Sequence, residues 1–100
     1  MAKRPTEQIV EGVTIDRQGM VVVGEGFQKT LCDLALDLQE RTPHAVDVEH
    51  VLAALVMAVR DGKIPRNSSL TSSDEERNGI LCRYIEVLFQ RYAGKINGEK

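Results

Sequence analysis

No tryptophan occurs in this chain of 100 residues, and only four residues are aromatic. The core has to be built from leucine, valine, isoleucine and alanine. The two cysteines, Cys32 and Cys82, are far apart and form no CxxC. That leaves no zinc-knuckle or dithiol motif, and both thiols read as small buried hydrophobes within helices. The longest apolar run, Val51 to Val59, is nine residues, about half of what a membrane-spanning helix needs. The start MAKRPTEQ carries two positive charges with no apolar run behind them, unlike a signal peptide. The chain therefore reads as cytosolic, with no membrane association. Net charge is −2 and the basic residues are dispersed. A general nucleic-acid binder needs a basic field to displace counterions, so that class is disfavoured.

Motifs for chemistry are missing as well. GEG at 24–26 lacks the third glycine and the βαβ setting of a dinucleotide site, and GEGFQKT holds no GK[ST]. The serines crowd into 68–73 with no GxSxG elbow. With no complete catalytic set, an enzyme is the less favoured class. No cofactor is implied.

What is present organises as one domain over residues 1–100, with 1–7 and 95–100 expected as disordered tails. From Ile9 to Val23 the pattern is strand-like: IVEGVTI, DRQG, then MVVV. Asp16 and Gly19 suit a turn closed by a glycine bulge, so a β-hairpin is expected, packed on helices. The alternative is a short helix over 6–11 with Pro5 at its first position. A helix is expected from Phe27 to Arg41, its buried stripe being Phe27, Leu31, Leu34, Ala35 and Leu38. Thr42-Pro43 ends it.

The second helix should start at Asp47, whose carboxylate suits an N-cap, with Glu49 in the favourable first turn. It is apolar on every side from Val51 to Val59, the pattern of a central helix. Gly62 supplies its stop. Residues 63–72 form a loop that Ile64 and Leu70 can anchor. Ser72 with Glu75 and Ser73 with Glu76 offer capping boxes for a last helix running to about Ala93 and ended by Gly94. Its expected stripe is Ile80, Leu81, Tyr84, Ile85 and Leu88, with Tyr92 at the edge and Val87 and Phe89 off it.

HAVDVEHVLAALVMAV, residues 44–59, holds both histidines and two acids. His44, Asp47, Glu49 and His50 are all metal-ligand types. A catalytic zinc site wants three protein ligands at defined spacing, such as two histidines at i and i+4 plus a third. Here His44 precedes the helix, and Glu49 points about 100° away from His50 around the axis. A capped helix start is the favoured reading, with His44, Asp47 and His50 as the candidates if a metal or ligand is held.

VDVEHVLAALV at 46–56 resembles the helix start that recurs in the N-terminal domains of Clp chaperone ATPases, of the type V-x-x-E-H-x-L-x-A-L. FQKTLCDLALDLQERTPH, residues 27–44, fits the helix and histidine-containing loop that precede it there. The resemblance covers residues 27–57 and implies one helical unit, with Glu49 and His50 as structural positions at a helix start. That family's domain is a tandem duplication, whereas this chain has room for one unit, begins with a foreign hairpin and carries no ATPase module. Histone folds also place an acid-capped helix after a loop. Here the preceding helix is too short for a histone's central one, and the charge is wrong for DNA.

The expected fold class is mainly α: three principal helices with an N-terminal β-hairpin. The expected function is a small non-catalytic protein–protein interaction module, self-associating as a homodimer through Val56, Val87 and particularly Phe89. One alternative is a small metal- or ligand-binding protein or enzyme using His44, Asp47, His50 and a cysteine. Another is nucleic-acid binding through Lys3, Arg4 and a face of Arg83, Arg91 and Lys95.

Overall fold

A helix that is apolar all round needs neighbours all round, and this one has them. In the computed structural model, which describes residues 6–71 and 74–98 and side chains as far as Arg91, the central element is α2, Val48–Arg60. Every residue from Val51 to Val59 is buried or half-buried. Helix α1, Gln28–Arg41, and helix α3, Glu75–Gly98, pack on α2, and strand β1, Glu7–Val10, closes another flank. The core is aliphatic throughout, with Ile9, Leu31, Leu34, Leu38, Leu55, Leu81 and Ile85 among its fully buried side chains.

The expected hairpin is a three-stranded antiparallel meander. Strand β1 pairs with β2, Val13–Ile15, which pairs with β3, Val21–Val23. The arm IVEGVTI is therefore two strands, folded at Glu11-Gly12. Gly12 has φ of 81°, in the left-handed region that favours glycine. A Cβ there would lie 2.4 Å from the Phe27 ring. Phe27 thus seats the start of α1 directly on the first turn of the sheet. A bulge between Gln8 and Val10 shifts the β1–β2 register, so Ile9 and Val10 are both buried despite being adjacent.

The second turn forms as its sequence indicates. Asp16 Oδ1 accepts the backbone N–H groups of Gln18 and Met20, both at 2.9 Å. Gly19 donates to the Asp16 carbonyl at 3.0 Å with φ of 87°.

The connection after α2 also closes the sheet on one side. Asp61 and Gly62 end α2, and Lys63 N–H returns to the Ala58 carbonyl at 2.9 Å. Ile64 and Leu70 are buried, as anchors. Between them Asn67 N–H donates to Ile9 O at 3.1 Å and Glu11 N–H to Ser68 O at 3.0 Å. This loop covers the β1 edge. Glu7 reinforces it, accepting from Arg66 at 2.8 Å and Arg60 at 3.2 Å. Those two guanidinium groups, Arg66 foremost, hold the Glu7 carboxyl below the usual glutamate range.

Three expectations are corrected. Helix α3 runs through Gly94 to Gly98, past the stop expected at Gly94. A single glycine weakens a helix by only about 1 kcal/mol, which a long helix absorbs. Glu7, expected in the other tail, pairs with Ile15 in the sheet. Phe89 does not lie off the buried stripe. It stands four residues beyond Ile85 and eight beyond Leu81, the spacing of one helix face, and it packs against the core. The caps expected from Ser72 and Ser73 lie outside the described residues. Asp74 Oδ1 accepts the Arg77 N–H at 3.1 Å, which is an N-cap contact.

Because Leu55 is fully buried in the central helix, Leu55→Ala is expected to cost about 2–5 kcal/mol through cavity formation. Urea melts check this; a loss below about 1 kcal/mol would mean that α2 is not the hub.

Candidate functional site

The start of α2 gathers most of the side chains with chemical potential. Asp47 and His50 form a reciprocal capping box, and the return bond runs from Asp47 N–H to His50 Nδ1 at 2.9 Å. An imidazole nitrogen fills the role usually taken by a glutamate or glutamine three residues into the helix. Because Nδ1 accepts that bond, the neutral ring carries its proton on Nε2. His44 lies in the loop before α2, and its Nε2 sits 3.0 Å from Glu86 Oε1 on α3. A carboxylate only accepts, so His44 Nε2 is the protonated nitrogen there.

Both imidazoles pack against Phe89. His44 stacks on it at a centroid distance of 4.4 Å and an interplanar angle of 6°. His50 lies at 4.6 Å, tilted by 41°. The candidate residues are thus brought together, as a clasp between the 42–47 loop, α2 and α3. Their polar atoms serve the fold: one nitrogen caps a helix and another ties a loop to α3. Among the described residues, no three histidine, cysteine, aspartate or glutamate side chains form a metal-holding group.

Polar groups on the neighbouring faces are engaged in the same way. Asp37 accepts from Arg41 Nε at 2.7 Å and from Asn78 Nδ2 at 2.9 Å. Arg41 also reaches Glu75 at 2.9 Å, and these acids, Glu75 foremost, raise its pKa. The cluster ties α1 to the first turns of α3. Tyr84 donates to Asp61 at 2.7 Å, a bond that pushes its phenol pKa up. Arg77 is buried and donates through Nη1 to Ser69 O at 2.9 Å. Its Nε and Nη2 meet no acceptor among the described residues and are sealed from solvent. Burial lowers its pKa, against the pull of Asp74.

The cysteines divide. Cys82 is half-buried, and burial is the main cause of its raised thiol pKa. Cys32 was expected in the core but is exposed: one step past the buried Leu31 turns a side chain about 100° around the helix, here to the outer face. Arg83 and Arg91 are exposed, while Lys3, Arg4 and the Lys95 side chain lie outside what the structure describes. Of the three residues expected at an interface, Val56 and Phe89 pack against the core of their own chain. Val87 is at the boundary of exposure, at 36%.

The other notable surface is the sheet. Its inner face carries Val13, Ile15, Val21 and Val23, and its outer face Thr14, Met20 and Val22. Val13 and Ile15 are buried, but Met20 is 62% exposed, Val22 47% and Val21 40%. Strand β3 pairs only with β2. Nothing among the described residues covers its other edge as the 66–69 loop covers β1. It is an apolar edge without the lysine, proline or bulge that usually protects one. The sequence signal for it is the run MVVV, whose pattern gives a hairpin arm but not which edge stays open.

Because its own histidines clasp Phe89, Phe89→Ala is expected to lower stability by about 1–3 kcal/mol and to leave self-association unchanged. Denaturant melts combined with sedimentation of the folded variant check both parts. Compared with known proteins, the chain matches no family model, no curated protein and no solved structure.

Proposed function

We propose that this chain is a small non-catalytic protein–protein interaction module that self-associates. The observation that carries the reading is the open edge of β3. Three consecutive large apolar side chains, Met20, Val21 and Val22, stand exposed there, on a strand with a partner on one side only. Exposed apolar side chains gathered on an unpaired edge favour a protein partner over a small ligand or a nucleic acid.

The structural engagement of His44, Asp47 and His50 supports the same reading, since each already serves a cap, a loop tie or a ring contact. The resemblance of residues 27–57 to one helical unit of the Clp N-terminal domains is consistent with a module that carries no chemistry of its own. Among the described residues no helix is long and apolar enough to cross a membrane.

The test is sedimentation velocity across the micromolar to millimolar range. A mass that rises with concentration towards that of two chains is expected. A single-chain mass throughout would overturn the reading.

A further inference from the structure

We infer that the partner at the β3 edge is a second copy of the same strand, paired antiparallel about a two-fold axis that passes beside Val22, so that two three-stranded sheets join into one of six strands. This rests on the self-association reading and specifies its surface and register.

The backbone bonds already present decide which groups are available. Asp16 N–H donates to Met20 O at 2.8 Å and Gly24 N–H to Gly12 O at 2.8 Å. Antiparallel strands alternate bonded and non-bonded pairs, and Thr14 lies opposite Val22. Met20, Val22 and Gly24 therefore turn their backbone groups towards β2. The N–H and C=O groups of Val21 and Val23 point out of the edge, where no described residue meets them.

Two copies related by a two-fold axis satisfy those groups in one register. Val21 of one copy faces Val23 of the other, and Val23 faces Val21. Each such pair exchanges both N–H···O bonds, and Val22 meets Val22 as a non-bonded pair on the axis. The side chains suit this. Met20, the most exposed of them, falls opposite Gly24, which has no side chain to obstruct it. The residues in direct contact carry no charge.

The antiparallel sense follows from closure and charge. Exposed Glu25 lies just after β3. Antiparallel pairing keeps the two copies of Glu25 at opposite ends of the seam, whereas in-register parallel pairing would set them side by side. Two copies related by a two-fold axis across the sheet also run antiparallel, which closes the pair. A short edge buries well under the roughly 1,200 Å² of a standard interface, so the dimer is weak, with Kd in the micromolar to millimolar range.

Disulfide trapping tests the register. In a Cys32→Ser background, which removes the exposed thiol, Val22→Cys and Val21→Cys are compared under mild oxidation. Cysteines at a non-bonded antiparallel pair lie about 4.5 Å apart at Cα, within disulfide reach, whereas two copies of position 21 are diagonal and beyond about 7 Å. Val22→Cys is expected to form covalent dimer at least an order of magnitude faster than Val21→Cys. Circular dichroism confirms that both variants are folded. Equal rates, with the dimer still present in sedimentation, overturn this register and leave the self-association reading standing. A monomer at all concentrations with no preferential trapping overturns both.

Discussion

The enclosure of α2 is the constraint on which the rest of the structure depends. A helix that is apolar from Val51 to Val59 on every side cannot present a face to water without exposing several large side chains. With no tryptophan and few aromatic rings, each covering element contributes modest area, so several elements are needed. Helices α1 and α3 cover two flanks and β1 another. The polar contacts then act as ties between the covers. The Asp37–Arg41–Glu75 cluster fastens α1 to α3, the Glu7 clamp fastens the loop to β1, and the histidine–Phe89 clasp fastens the loop before α2 to α3.

That constraint also explains where the molecule is incomplete. Only β1 among the strands packs directly on α2 in quantity. Strand β2 fills in behind it with Val13 and Ile15, both buried. By β3 only Val23 still packs against the core. The strand is entirely valine, yet Val21 and Val22 remain substantially exposed. The open edge is thus the residue of a fold organised around a helix at the other end of the sheet. An edge of this kind is a pairing site unless something blocks it.

Much of the fold was legible in the sequence because local and tertiary preferences agree there. The Leu31–Leu34–Leu38 stripe, the all-round apolar α2 and the Asp16–Gly19 turn each carry their own signal. Other features depended on contacts that no short window contains. Gly12 reads as one residue within a β-branched arm, and it becomes a turn because the Phe27 ring occupies the space of its missing side chain. Cys32 and Phe89 were legible but misplaced, since counting around the helix puts Cys32 outside and Phe89 in line with Leu81 and Ile85. His50 as a capping partner follows the Asp-x-x-Glu pattern with an imidazole substituted, a signal that a search for metal ligands obscures. As for the candidate surface, MVVV was visible as a strand, but which edge stays open follows only from the 66–69 loop bonding to β1.

The central claim is that β3 completes its hydrogen bonding with a second copy. Amide hydrogen exchange measured residue by residue at low and high protein concentration tests it most directly. The Val22 amide bonds to β2 within one chain and should exchange slowly at both concentrations. The Val21 and Val23 amides point out of the edge, so they should exchange fast when dilute and become protected together as concentration rises. Fast exchange of Val21 and Val23 at every concentration, beside a protected Val22, would contradict the account.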